Sequence, residues 1–131
     1  MAYDRADAFI ERHVRDTGWA VQLIPEGEGD DEPAFAYTTG LFHNYGHAEL
    51  IIFGLALEDM HVMLNDCGEL VKSGRKLEPG QKLGDILAEG YDVLFREVKD
   101  PQSYRQHVGY ALAFYKGRDF PLLQVLWPDA Q

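Results

Sequence analysis

The sequence lacks the features that would assign it to several large classes of protein. Its single cysteine, Cys67, cannot form an internal disulfide, which indicates a reducing compartment such as the cytoplasm. No apolar run approaches the roughly 20 residues that a membrane-spanning helix needs. The first residues include early acids and no apolar segment, so we expect no secretory signal.

Basic residues are also scarce. Lysine and arginine number 12 against 22 acids, which gives a formal net charge of −10. Such a charge repels phosphate backbones and anionic membrane surfaces, so the sequence predicts neither nucleic acid nor a membrane as the main partner. The 131 residues, of which 46% are apolar and 26% charged, suit one globular domain over residues 1–131.

Recognisable catalytic and nucleotide-binding motifs are missing as well. The sequence has no G-x-S-x-G turn, no G-x-G-x-x-G and no phosphate-binding P-loop. The acidic stretch at residues 25–33 lacks the ligand spacing of a calcium loop and is interpreted as an exposed connection. We therefore expect no cofactor. We also expect no tightly bound metal, because the histidine pair at residues 43 and 47 lacks a clear third ligand.

Hydrophobic periodicity predicts interspersed helices and strands. Helices are expected at residues 3–15, 57–73 and 100–117, and a short additional helix is an option at residues 83–87. Strands are expected at residues 19–24, 35–39, 50–55, 91–96 and 120–127. This order predicts an α+β domain with a mainly antiparallel sheet and about three helices packed on one side of it. A small barrel-like sheet is the alternative.

Three residues or segments refine this arrangement. Residues 19–24 are apolar on both alternating faces apart from Gln22, which is typical of a well-buried strand. Pro121 cannot donate to a strand ladder, so the start of the last strand is expected at a sheet edge. Cys67 falls on the apolar stripe of the helix at residues 57–73, which predicts a core residue rather than a nucleophile.

The densest group of reactive side chains follows the second predicted strand. His43 and His47 stand four residues apart, and with Glu49 and a distant third ligand such as His107 they could hold a zinc ion. Such a zinc site requires a helix that places both imidazoles on one face, whereas residues 44–46 predict a turn. In a turn, both histidines are expected to hydrogen-bond the loop backbone instead.

Two further polar side chains interrupt apolar segments. Gln124 lies between Leu122 and Leu126 on one face of the last strand, and without partners its buried amide would cost about 1–3 kcal/mol. It is therefore either a structural bridge or a polar anchor in a pocket. His107 falls on the apolar face of its predicted helix and is expected to be a core residue with one hydrogen bond.

Several short motifs carry a family resemblance. Residues 37–41 read Y-T-T-G-L and resemble the Y-T-x-G-L motif of the bacterial domain of unknown function 4262 family. Residues 49–55 resemble its P-E-L…G-L segment, and residues 114–117 with 124–129 resemble its F-Y-x-G…Q-x-x-W-P-D ending. The resemblance covers about residues 18–129, although Ala48 stands where the family usually has proline. It implies a shared fold but supplies no substrate, cofactor or catalytic role.

These expectations combine into one hypothesis about function. Polar groups that interrupt apolar strands can supply one another's partners, so the segments at residues 37–49 and 124–129 are expected to meet in a pocket, or in a network that merely fixes strand order. The candidate ligand-binding residues are Tyr37, Thr38, His43, His47, Glu49, His107, Gln124, Trp127 and Asp129. The leading function is a binding module for a small molecule or a protein. The alternative is an enzyme, for example a hydrolase, that uses a histidine and Glu49 as acid and base.

Overall fold

A computed structural model describes residues 2–26, 33–83, 93–99 and 107–126, and it describes the side chains of residues 7–26, 33–81, 93–99 and 107–126. Within these ranges the helices are α1 (Ala2–Asp16), α2 (Leu41–Tyr45), α3 (Leu57–Lys72) and α4 (Gly109–Phe114). The strands are β1 (Ala20–Ile24), β2 (Phe35–Thr39), β3 (Glu49–Phe53), β4 (Lys82–Leu83), β5 (Val93–Glu97) and β6 (Leu122–Leu126). The α+β class is confirmed. No helix in the described ranges combines the length and apolar character needed to cross a membrane.

The six strands form one sheet in the order β1-β2-β3-β6-β5-β4. Neighbouring strands are antiparallel except β3 and β6, which run parallel. Among the described strands the sheet is open, with β1 and β4 at its two ends, so the barrel-like alternative is wrong. The parallel pair brings the beginnings of β3 and β6 to the same end of the sheet.

Helices cover both faces of the sheet. Leu50 and Ile52 of β3 pack in the core that contains Leu64 of α3. Ile51, which points the other way, packs in a second core with Ala111 of α4. The expectation that the helices lie on one side is wrong because the central strand is apolar on both faces and needs cover on both.

Strand β1 lies at an edge, and the expectation of a well-buried strand is wrong at its far end. Leu23 is 37% exposed, because an apolar run does not reveal whether a second neighbouring strand will be present. Trp19 precedes the strand and is buried in the core beneath α3. Its indole Nε1–H donates to Asn65 Oδ1 at 3.0 Å.

Strand β6 lies inside the sheet, so the expectation that Pro121 marks an edge is also wrong. The ladder with β3 begins at Leu122, one residue after the proline, and the missing N–H therefore removes no ladder bond. The Pro121 carbonyl instead accepts a hydrogen bond from Glu49 N–H at 3.0 Å.

Two local predictions are corrected. Residues 41–45 form the single helical turn α2 instead of a non-helical turn, with Gly40 (φ 118°) and Gly46 (φ 67°) at its ends. Helix α4 begins only at Gly109, so His107 lies in a turn and not on a helix. Residues 100–106 and most of the additional helix considered at residues 83–87 lie outside the described ranges, and Leu83 belongs to β4.

The prediction for Cys67 is confirmed. Its side chain is buried on α3 within the core on that face. Burial raises the pKa of the Cys67 thiol to about 12, and the nearby Asp66 acts in the same direction. A thiol in this environment stays protonated at neutral pH and is not an activated nucleophile.

Candidate functional site

The most concentrated polar group in the described structure is centred on Glu49, at the first position of β3. Its side chain is fully buried, with 0% exposure. The carboxylate accepts hydrogen bonds from Thr38 Oγ1 at 2.7 Å and from the hydroxyl of Tyr115. Three further donors are backbone N–H groups: Gly40 at 2.8 Å, Leu41 at 3.2 Å and Phe42 at 3.2 Å. We call these residues the Glu49 cluster.

The chain between β2 and β3 is shaped to make this arrangement. Gly40 adopts a left-handed conformation that a side chain would disfavour, which turns the following N–H groups inward at the start of α2. Successive backbone N–H groups of this kind form a concave site for a negative charge. Gly40, the N-cap residue of α2, provides no side-chain cap. The Glu49 carboxylate caps the helix instead, although it lies eight residues after Leu41 in the chain.

Burial and hydrogen bonding act on the Glu49 carboxyl in opposite directions. Loss of solvent raises its pKa above the ordinary 4.5, while hydrogen bonds from Tyr115, Thr38 and the amides of Gly40 and Phe42 act to lower it. Burial also raises the pKa of the Tyr115 hydroxyl, and the charge of Glu49 adds to that effect. The phenol therefore stays protonated and serves as a donor.

The contacts of Glu49 limit what it can do chemically. A carboxylate offers about four lone-pair sites, and five donors already occupy them. No lone pair is left to accept a proton from a substrate, and the group is shielded from solvent. The cluster instead ties the end of β2, the start of β3, α2 and the residue after α4 into one unit.

His47 has a different but equally fixed role. It is buried, and its Nδ1 lies 2.8 Å from the Ala48 carbonyl, to which it must donate. Its Nε2 accepts a hydrogen bond from Leu77 N–H at 2.9 Å, which defines a neutral ring with the proton on Nδ1. His47 thereby joins the loop before β3 to the segment after α3.

These two segments form one side of an open cleft of about 760 Å³. The cleft lies at the end of the sheet where β3 and β6 begin, and we call it the sheet-end cleft. Its lining comes from residues 45–48, 74–79, 97–99 and 121–123, together with Val71. The partly or fully exposed side chains of Ala48, Val98 and Pro121 contribute apolar surface to it, and the buried Leu77, Leu122 and Leu123 lie beneath.

Charged side chains surround the sheet-end cleft. Arg75 and Lys76 follow α3, and Lys99 follows β5. Glu78 and Glu97 lie on the same lining, and all five side chains are exposed. Within the described part of the chain, none of the five takes part in a salt bridge.

The structure brings some of the predicted site residues together. Thr38 and Glu49 are in direct contact, and Thr38 Oγ1 also accepts from Leu50 N–H at 2.9 Å. Tyr37 is paired with Ile51 and Ile51 with Gln124, so Tyr37 and Gln124 lie in one row across three strands. They are therefore neither on opposite faces nor at opposite ends of the sheet.

The remaining predicted residues are separated. His43 is exposed on α2 and its ring meets the ring of Phe114 edge-on, while its backbone N–H donates to the Tyr115 hydroxyl at 3.1 Å.

His107 lies elsewhere in the fold. Its ring packs against those of Phe35 and Phe53, with centroids 5.1 and 5.7 Å away. Trp127 and Asp129 lie outside the described residues.

Two polar residues of the row across the sheet have local partners. The Tyr37 hydroxyl accepts a hydrogen bond from Tyr110 N–H at 3.1 Å, which links β2 to α4. Gln124 Oε1 accepts from an Arg96 N–H on the neighbouring strand β5. Both contacts match the structural reading of these residues, in which polar groups fix the relative positions of elements.

The histidine pair does not form a metal-binding arrangement with Glu49. Both ring nitrogens of His47 and both oxygens of Glu49 are already engaged. Among the described residues, no group of three or more histidine, cysteine or acidic side chains is placed to hold a metal ion.

Comparison with known proteins identifies the family. A family model described as Domain of unknown function (DUF4262) matches residues 13–131, nearly the whole chain. The chain belongs to this family. The resemblance expected from the short motifs is thus confirmed, and Glu49, Thr38 and Tyr115 of the cluster all lie within those motifs. Neither the curated proteins nor the solved structures contain a match.

Sequence reasoning missed two parts of this region. The sequence assigns Tyr115 only to a motif, although a tyrosine next to an apolar helical face is a candidate partner for a buried carboxylate. The sheet-end cleft had no comparable signal. Its lining comes from four separate segments, and only the strand order shows that they meet.

Proposed function

We propose that this protein is a binding module that takes a small molecule in the sheet-end cleft. The observation that carries the proposal is the open cleft of about 760 Å³, which combines apolar surface with exposed charged groups. Small-molecule sites in proteins typically measure about 300–1,000 Å³ and show this mixture of apolar walls and a few polar contacts.

The position of the cleft supports the same proposal. Its lining residues are mostly in loops and strand ends, which a rigid scaffold can hold in place without using them in the core. The Glu49 cluster adjoins the wall formed by residues 45–48, since Glu49 follows Ala48 directly, and the hydrogen bond from Leu77 N–H to His47 joins two parts of the lining. A preorganised wall reduces the entropy that a ligand must overcome on binding.

The enzyme alternative has less support from the geometry. It requires a base with a free acceptor within reach of a reacting group. Glu49 is enclosed by donors, and His47 uses both ring nitrogens within the protein. The exposed ring of His43 lies near Phe114 and is not on the lining of the cleft.

The setting that we propose is a bacterial cytoplasm, with neither nucleic acid nor a membrane as the main partner. A protonated, buried Cys67 as the single cysteine suits a reducing compartment. The net charge of −10 opposes the close approach of extended polyanionic surfaces.

Binding can be tested by a fragment screen monitored through amide chemical shifts. We expect some fragments to shift the amide signals of Lys76, Leu77 and Val98 in a saturable way. The amides of Gly40 and Leu41 serve as an internal control, because they are held by Glu49 and do not belong to the cleft lining. A diverse library that leaves the cleft signals unmoved, or moves only those of the Glu49 cluster, would refute the proposal.

A further inference from the structure

We infer that the ligand of the sheet-end cleft is an organic anion, with a carboxylate or phosphate group attached to an apolar body. This inference rests on the proposed function, since it names the chemical class of molecule that the cleft takes. It follows from the charges around the cleft, from the lack of ion-pair partners for its cations among the described residues, and from the apolar surface of the lining.

The cleft is locally basic in an acidic protein. Its three cations, Arg75, Lys76 and Lys99, face two carboxylates, whereas the whole chain has 12 basic residues against 22 acidic ones. At physiological salt a charge is screened beyond about 8 Å, so a bound group responds mainly to the nearest charges. The acidic remainder of the surface therefore does not prevent an anion from binding at this place.

The cations are also available. Within the described residues, Arg75, Lys76 and Lys99 form no salt bridge, although Glu78 and Glu97 lie on the same cleft lining. An arginine guanidinium presents paired N–H donors that match the two oxygens of a carboxylate or phosphate. Lysine adds a mobile point charge, and the cleft carries lysines on two different segments, after α3 and after β5.

The apolar part of the lining predicts the rest of the ligand. Ala48, Val98 and Pro121 line the cleft and are partly or fully exposed, so they present apolar surface to the solvent there. A purely inorganic ion would leave that surface in contact with water. An anion with an aromatic or aliphatic body removes it from water and gains in proportion to the area covered.

The test compares small probes that differ in charge but share a ring. Phenyl phosphate and benzoate are the anionic probes, benzyl alcohol is the neutral one, benzylamine is the cationic one, and inorganic phosphate lacks the apolar body. Each is titrated against the full chain, and the amide shifts of Lys76, Leu77 and Val98 are followed. We expect both ring-bearing anions to bind more tightly than the other three, with the ratio between them showing which anionic group is preferred.

Charge variants assign the effect to named residues. We expect Arg75→Gln and Lys99→Gln each to weaken binding of the anionic probes by about two- to tenfold. Glu97→Gln should strengthen it, because it removes a nearby negative charge. Arg12→Gln, an exposed change on α1 outside the cleft lining, is the matched control and should have no effect.

Two failures can be told apart. If the neutral and cationic probes bind in the cleft as tightly as the anions, and Arg75→Gln and Lys99→Gln change nothing, the cleft binds ligands but the anion inference is wrong. If no probe of any charge shifts the cleft amides, the anion inference fails, and an empty result in the fragment screen then removes the proposed function too. If inorganic phosphate and phenyl phosphate bind equally tightly, the inference that the ligand has an apolar body is wrong.

Discussion

Two polar regions lie close together at the same end of the sheet and differ in nearly every physical respect. In the Glu49 cluster, one buried carboxylate accepts five hydrogen bonds and has no exposed surface. In the sheet-end cleft, Arg75 and Lys99 are exposed and form no salt bridge with a described residue. Polar residues with complete internal partners maintain the fold, whereas those without them remain available to a ligand.

The largest effect is expected for Glu49→Gln. Each Glu49 carboxylate oxygen accepts at least two hydrogen bonds. In either orientation of the glutamine side chain, its NH2 group would therefore face N–H or O–H donors and could not accept their hydrogen bonds. We expect a loss of about 3–5 kcal/mol in the free energy of unfolding, measured by urea denaturation.

Glu97→Gln is the matched control, since it makes the same chemical change at an exposed site. We expect it to alter the free energy of unfolding by less than about 0.5 kcal/mol. Equal stabilities for the two variants would show that the Glu49 cluster does not hold the fold together.

The missed elements of this region have a common physical cause. Helix α3 was predicted well because its periodic apolar stripe is local information. Helix α2 was missed because the group that stabilises its start is Glu49, which reaches it only after β3 pairs with β2. The exposed side of β1, the interior position of β6 and the cleft likewise depend on strand order, which periodicity does not contain.

A second expected effect concerns the tightly packed interior. A methyl group at Gly68 of α3 would overlap the indole ring of Trp19, which is itself fixed by its hydrogen bond to Asn65. We expect Gly68→Ala to destabilise the protein by about 1–3 kcal/mol despite the better helix propensity of alanine.

Gly109→Ala provides the comparison for that substitution. Gly109 is also helical, at the start of α4, but a methyl group there would meet no atom within 4 Å. In thermal unfolding, we expect a clearly lower melting temperature only for Gly68→Ala. Similar melting temperatures for the two variants would indicate that the core beneath α3 is loosely packed.

A third and smaller effect separates the two tyrosines of the region. Tyr115→Phe removes a donor to Glu49 and an acceptor for His43 N–H, so we expect a loss of about 1–2 kcal/mol in the free energy of unfolding. Tyr45→Phe is the control, because Tyr45 belongs to the cleft lining and its hydroxyl, which lies beside Gly18, forms no hydrogen bond with the described residues. If urea denaturation shows the same loss of unfolding free energy for both variants, the Tyr115 hydroxyl does not stabilise the Glu49 cluster.

The smallest effect is expected for the cations of the cleft. The double variant Arg75→Gln and Lys99→Gln removes two exposed charges that have no ion-pair partner among the described residues. We expect its free energy of unfolding to stay within about 0.5 kcal/mol of the parent protein. A loss of several times that size, again by urea denaturation, would mean that these side chains support the fold rather than a ligand.

Amide hydrogen exchange measures the difference between the two regions most directly. The N–H groups of Gly40 and Leu41 donate to the buried Glu49 carboxylate, whereas Lys76 is exposed on the cleft lining. We predict that Gly40 and Leu41 exchange only through global unfolding, with a protection free energy equal to that from urea denaturation, while Lys76 exchanges nearly as fast as in an unfolded chain. Exchange of the Gly40 and Leu41 amides at a rate similar to that of Lys76 would mean that the Glu49 cluster does not anchor the fold.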